Sequence, residues 1–193
     1  MLAVMPTGAG KSLCYQLPAL VSNFFTVIVS PLVALMDDQV EGLRQNGINA
    51  TKIHSGQDRE INVQNWKEFA SGKSKLLYLS PERLMQDQML SVLKKKAIGL
   101  FVIDEAHYIK RLDASWANAV LRISPYAKNR CVLTGTPMPH SYKDLYNIFV
   151  DAAEKMDGIG RENISTLLGD FLSIYNKTLE PLIRNEKGGI LKV

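Results

Sequence analysis

Short apolar, β-branched runs alternate with amphipathic stretches along most of the chain. Strand-like runs fall at Leu2–Met5, Phe25–Ser30, Ala50–His54, Lys75–Leu79, Gly99–Ile103 and Arg130–Thr134. Between them lie helix-like stretches near Lys11–Val21, Leu32–Asn46, Glu60–Ser71, Pro81–Lys96 and Ala114–Ser124. The run Thr26-Val27-Ile28-Val29 is nearly continuous in apolar character, which predicts strands buried on both faces rather than one. Strand and helix in alternation predict right-handed βαβ crossovers, hence an α/β fold with a parallel sheet flanked by helices on both faces. From about Asp151 the pattern weakens to a single expected helix, Glu162–Lys177, and a Gly-Gly pair at 188–189. The expected division is one domain over residues 1–150 and a helical tail over 151–193. Ligands on such sheets bind beyond the carboxyl ends of the strands. Every polar motif below follows a strand-like run.

Composition narrows the class without choosing a function. The chain has 193 residues, 46% of them hydrophobic and 22% charged, which suits a globular domain with a real core. No apolar run approaches the roughly 20 residues that span a bilayer, and the opening five residues do not make a signal peptide. A cytoplasmic protein is therefore expected, with no membrane partner. Cys14 and Cys131 form no CxxC pair, which argues against a zinc site or a disulfide framework. The net charge of +4 is compatible with a nucleic-acid partner but selects none.

Chemistry enters after the first strand-like run, at Met5-Pro6-Thr7-Gly8-Ala9-Gly10-Lys11-Ser12. Phosphate groups need converging backbone N–H donors, and Gly8 and Gly10 allow a tight loop with no side chain in the way. The following helix directs its positive end at the phosphates. In this arrangement Thr7, Gly8, Ala9, Gly10, Lys11 and Ser12 cradle the phosphates of ATP. Lys11 reaches the β- and γ-phosphates, and the Ser12 hydroxyl ligates Mg²⁺. The generic phosphate-loop pattern opens with a glycine where this chain has Met5, but strand, loop and helix come in the required order. A dinucleotide fingerprint fails for want of a third glycine three residues on.

The strand-like run Gly99–Ile103 leads into Asp104-Glu105-Ala106-His107. Two adjacent carboxylates at a strand end suit a metal-holding acid, Asp104, beside an acid that orients or deprotonates the attacking water, Glu105. A zinc helix would need a second histidine four residues away, so His107 is read as a hydrogen-bonding link from the nucleotide site to other elements.

At this point the residues resemble a known family. Met5–Leu20 (MPTGAGKSLCYQLPAL), Val27–Val40 (VIVSPLVALMDDQV) and Leu76–Leu84 (LLYLSPERL) are similar to motifs I, Ia and Ib of RecQ-type DNA helicases in superfamily 2. Val102–His107 (VIDEAH) matches motif II, and Leu133–Pro137 (LTGTP) stands at motif III. The resemblance covers residues 1–150 and implies a RecA-like P-loop domain that hydrolyses ATP with Mg²⁺ to move along a strand, DNA in preference to RNA. It implies nucleic-acid contacts at Ser30, Pro31, Leu32, Ser80, Pro81 and Arg83, and coupling roles for His107, Thr134 and Thr136. Each contact motif opens a helix after a strand, where N–H groups, a hydroxyl and a guanidinium can meet phosphate oxygens. The same Ser-Pro pairs also read as helix caps with proline at the first helical position. Thr134-Gly135-Thr136-Pro137 is closer to Swi/Snf-type translocases, and the residues after His107 lack the aromatic-rich loop of RecQ enzymes. The resemblance further implies an N-terminally truncated domain and a second RecA-like domain, absent from this chain, that brings arginine fingers. A non-hydrolysing regulatory or scaffold module is the alternative, and a small-molecule kinase leaves Ser-Pro-Glu-Arg and Thr-Gly-Thr-Pro unexplained.

Overall fold

A computed structural model of the chain describes residues 10–105, 119–120 and 122–133. Within them five strands form one sheet: β1 Phe25–Val29, β2 Ala50–Ile53, β3 Leu76–Leu79, β4 Ile98–Ile103 and β5 Ala127–Val132. Five helices accompany them: α1 Leu13–Val21, α2 Val33–Gln45, α3 Arg59–Ala70, α4 Pro81–Leu84 and α5 Asp87–Leu93. The strand order is β2-β3-β1-β4-β5, and every pairing is parallel. The expected α/β architecture is therefore the observed one.

Side chains alternate across the strands and build two separate cores. Val27, Val29, Leu77, Leu79, Phe101 and Ile103 face α3, α4 and α5 through Phe69, Leu84, Leu90 and Leu93. On the opposite face Ile28, Tyr78 and Val102 meet Tyr15 and Ala19 of α1 and Met36, Val40 and Leu43 of α2. A strand with helices on both sides has no polar face, which is why Phe25–Val29 is apolar nearly throughout. One close approach limits side-chain size. A Cβ on Gly99 would stand 2.2 Å from Phe24 Cβ, so β4 can pass this aromatic only with hydrogen at that position.

Two boundaries differ from the sequence pattern. The single helix expected over Pro81–Lys96 is broken at Met85–Gln86, where Gln86 is extended (φ −69°, ψ 123°). An unbroken helix would carry the face of Leu84 on to Gln88 and Ser91. The break re-phases the chain so that Leu90 and Leu93 enter the core instead. The last strand begins at Ala127, three residues before Arg130, directly after a 3₁₀ turn at Ser124–Tyr126. Its polar first half, Lys128 and Asn129, is exposed. The ladder to β4 makes it a strand without an apolar signature. Of the expected helix Ala114–Ser124, residues 119, 120, 122 and 123 are helical. The runs Leu2–Met5 and Glu162–Lys177, and the tail 151–193 as a whole, lie outside the described residues.

Candidate nucleotide and nucleic-acid sites at the carboxyl edge of the sheet

Hydrogen bonding continues one residue past the strand ends and sets the motif residues in a row. The N–H of Ser30 donates to Leu79 O at 3.1 Å, that of Ser80 to Ile53 O at 3.1 Å, and that of Asp104 to Val29 O at 2.9 Å. Leu133 N–H reaches Ile103 O at 2.8 Å. From the β2 side inward the edge thus presents His54, Ser80, Ser30, Asp104 and Leu133.

The nucleotide half gathers Gly10, Lys11, Ser12, Asp104 and Glu105. Gly10 has φ +76°, a left-handed conformation that glycine adopts without the Cβ penalty of other residues. Its carbonyl accepts the Leu13 N–H at 2.9 Å, which turns the chain into α1. Lys11 Nζ is buried and has no hydrogen-bond partner. Ser12 is the N-cap residue of α1, yet its hydroxyl makes no capping bond.

Asp104 is 8% exposed, and burial pushes its carboxyl up to about 6. The neighbouring Glu105 charge adds to the rise, while the Glu105 N–H and the Lys11 ammonium pull the other way. That N–H donates to Asp104 Oδ1 at 3.1 Å. Glu105 itself has φ +52°, a conformation that costs a non-glycine residue on the order of 1–3 kcal/mol and concentrates at functional sites. The strand end therefore holds two acids in fixed and different surroundings.

These residues fit a divalent cation with a polyphosphate. A buried ammonium without an acceptor suits phosphate oxygens. A desolvated carboxyl short of positive charge suits Mg²⁺, and so does a hydroxyl unused in capping. Among the described residues no three His, Cys, Asp or Glu side chains cluster as metal ligands. Mg²⁺ at this edge would accordingly take much of its coordination from phosphate and water, as that ion ordinarily does.

The nucleic-acid half holds Ser30, Pro31, Leu32, Ser80, Pro81 and Arg83. The capping reading of the serines holds only in part. Ser80 is the N-cap residue of α4 with Pro81 first in the helix, but the Ser80 hydroxyl makes no capping bond. It is buried without a partner, as is Arg83 Nε. Pro31 is not helical at all. The cap of α2 is Leu32, whose N–H reaches Ser30 Oγ at 3.5 Å, and no side chain caps that helix. Its first-turn N–H groups thus point at the same edge with no side chain on them.

A buried polar link joins the two halves. Gln16 of α1 donates from Nε2 to Gln39 Oε1 of α2 at 2.6 Å and to the Tyr78 hydroxyl at 3.2 Å. Neither glutamine stood out in the sequence. His54 was also missed, although its place at the end of the third strand-like run was the available signal. Thr7, Gly8, Ala9, His107, Thr134 and Thr136 lie outside the described residues.

Comparison with solved structures gives the class to which this fold belongs. The chain superposes on a SWI2/SNF2 ATPase core of Sulfolobus solfataricus in complex with double-stranded DNA, with a TM-score of 0.57 at 21% identity, over 96% of this chain and 35% of that one. The Hef helicase domain of Pyrococcus furiosus gives a TM-score of 0.60 at 19% identity, over 77% of this chain and 32% of that one. The fold is thus the one these two proteins share, a parallel sheet with helices on both faces. The DEAD/DEAH box helicase description matches residues 1–145, and the chain belongs to that family. An ATP-dependent DNA helicase RecQ of Haemophilus influenzae is 44% identical over 110 residues, covering 57% of this chain and 18% of that protein. The probable ATP-dependent DNA helicase RecS of Bacillus subtilis is 34% identical over 175 residues, covering 85% of this chain and 34% of its own length. The chain thus spans about a fifth to a third of these relatives.

Proposed function

We propose that this chain is the ATP-binding motor domain of a RecQ-like DNA helicase or translocase, which turns ATP hydrolysis into movement along a strand. The observation that carries the reading is the buried Lys11 Nζ without a hydrogen-bond partner, close enough to Asp104 to act on its ionisation. A buried ammonium left so is costly unless a ligand completes it.

Lys11 binds the β- and γ-phosphates of ATP, with Thr7, Gly8, Ala9 and Gly10 as the surrounding loop. Ser12 and Asp104 would hold Mg²⁺, Asp104 through water, and the ion would neutralise charge that develops on the transferred phosphoryl group. Glu105 orients the attacking water and accepts its proton. His107, Thr134 and Thr136 relay the state of the nucleotide toward the strand-binding residues. Ser30, Pro31, Leu32, Ser80, Pro81 and Arg83 meet the backbone of the bound strand.

A second RecA-like domain completes the cleft from its open side and supplies arginine fingers. DNA is the proposed strand because the named relatives are DNA helicases, and the proposed location is the cytoplasm, with association to the nucleoid or nucleus as the alternative. No helix among the described residues is long and apolar enough to cross a membrane. The test is calorimetric titration with Mg·ATP beside Lys11→Ala, followed by turnover with single-stranded DNA and an added second domain. Binding that disappears in the variant and DNA-stimulated turnover are the expected results. Binding that persists in Lys11→Ala would overturn the phosphate assignment. Mg·ATP binding without turnover would favour the non-hydrolysing module.

A further inference from the structure

Three buried polar atoms without hydrogen-bond partners occur in one neighbourhood at the outer end of the carboxyl edge. They are His54 Nδ1, Ser80 Oγ and Arg83 Nε. The Ser80 N–H bonds the carbonyl of Ile53, the residue before His54, and the Arg83 N–H bonds the Ser80 carbonyl. Arg83 is near enough to His54 to influence its charge. Each orphaned group costs roughly 1–3 kcal/mol, and such groups are rare enough in folded proteins to need a reason. A group arriving from outside that accepts hydrogen bonds from a hydroxyl and a guanidinium supplies one. A phosphate does both.

The His54 ring is held in place for this task. His54 is 6% exposed. Its N–H donates to Asn62 Oδ1 at 3.3 Å, and its carbonyl accepts from Asn62 Nδ2 at 3.0 Å. Gly56 lies beside the unpartnered nitrogen, where a Cβ would stand 3.4 Å from Nδ1. Glycine keeps that approach clear. On the far side of the ring, Nε2 is 3.9 Å from Asp37 Oδ1, which also takes the Lys52 ammonium. The charged groups facing the ring are thus Asp37 from α2, Lys52 from β2 and Arg83 from α4.

The protonation state decides what this ring can do. In the free chain, burial lowers the readiness of His54 to protonate. Asp37 opposes that effect, while Lys52 and Arg83 reinforce it. A neutral ring whose proton sits on Nε2 offers Nδ1 only as an acceptor, which repels a phosphate oxygen. An imidazolium donates from both nitrogens.

We propose that His54 joins Ser80 and Arg83 in receiving one backbone phosphate of the bound strand, and that it does so as an imidazolium. Nδ1 donates to the phosphate while Nε2 faces Asp37, and the proton comes from solvent. Strand binding therefore takes up a proton at His54. The inference rests on the strand-contact reading of Ser80 and Arg83 and adds to it one residue and one proton.

The chain has three histidines, so their ring signals can be followed individually by NMR, with His54→Asn identifying the one of interest. The titration midpoint of His54 is measured in the full chain, free and saturated with a single-stranded oligothymidylate. Affinity for that oligonucleotide is measured by fluorescence anisotropy from pH 8 to 5.5 at fixed ionic strength. The midpoint is expected below the usual histidine value in the free chain and at least one unit higher in the complex. Affinity then tightens about tenfold on acidification for each unit of that rise. His54→Asn and His54→Gln are expected to lose this pH dependence and to bind at pH 5.5 as weakly as the parent does at pH 8. Oligonucleotide binding with an unmoved His54 midpoint would overturn the inference and leave the proposed function standing. A midpoint raised by inorganic phosphate but not by the oligonucleotide would overturn the assignment to a strand backbone. Absence of oligonucleotide binding at every pH would overturn both readings.

Discussion

Gln16 Nε2 donates to Gln39 Oε1 at 2.6 Å, and this bond ties the helix that follows Lys11 and Ser12 to the helix that follows Ser30. Gln16 is buried, and its amide also reaches the Tyr78 hydroxyl between the two helices. A change in α1 on nucleotide binding has here a direct polar route to α2.

The pair is expected to couple energetically. Gln16→Ala and Gln39→Ala should each lower stability by about 1 kcal/mol, and the double variant should lose less than their sum. Urea unfolding of the four proteins measures the coupling. Strict additivity would show that the bond joins the helices in geometry alone.

Lys11→Ala should abolish Mg·ATP binding without lowering the melting temperature, because it removes a buried ammonium that has no hydrogen-bond partner. It should also move Asp104 further above 6, since Lys11 is one of the groups that holds it down. Thermal unfolding with and without nucleotide reads the binding and the stability, and its pH dependence reads the rise at Asp104. A variant much less stable than the parent would assign Lys11 a structural part.

Asp104 sets a pH window. Its folded-state value of about 6 lies above the usual 3.8. Its contribution to stability is therefore fully present below about pH 4 and is lost as pH rises through 6. Asp104→Asn should then be more stable than the parent at pH 8, by up to roughly 3 kcal/mol, with the gap closing toward pH 4. Mg²⁺-dependent nucleotide binding should weaken below pH 6, where the carboxyl takes up its proton. Unfolding and calorimetry across pH 4–8 test the two halves separately.

Glu105→Gln should bind Mg·ATP as the parent does and abolish turnover in the completed motor, since the amide cannot accept the proton of water. Turnover within a few fold of the parent would place the base elsewhere.

Gly99→Ala should destabilise by roughly 1–3 kcal/mol through overpacking, because its Cβ meets Phe24 Cβ at 2.2 Å. Pairing it with Phe24→Gly, which removes the clashing Cβ itself, should recover part of the loss. No recovery would mean that β4 itself has shifted.

Several elements could be read directly from the residues. Five of the six strand-like runs overlap the observed β1 to β5, and for β1, β3 and β4 the reason is that a strand between two helical layers must be apolar nearly throughout. Lys11 and the Asp-Glu pair proposed for the nucleotide site could be singled out in the same way, since few backbone contexts call for those residue types directly after a strand. Local periodicity misled where neighbours decide the outcome. Pro81–Lys96 has one helical pattern but breaks at Met85–Gln86, because Leu90 and Leu93 gain more from the core than Gln88 and Ser91 could. The early start of β5 has the same origin, its backbone bonds to β4 outweighing a polar sequence.

The alternation of elements, the parallel sheet and the residue types at the ends of its strands follow from local periodicity and motif chemistry and were fixed along the chain. Which of those ends are neighbours came from the packing of the strands. It set His54 beside Ser80 and Arg83 and left Lys11 Nζ without an acceptor. It also raised Asp104 above its ordinary value. Burial, unmet hydrogen bonds and the field of nearby charges belong to no residue alone. They exist only once strands distant in sequence lie about 5 Å apart.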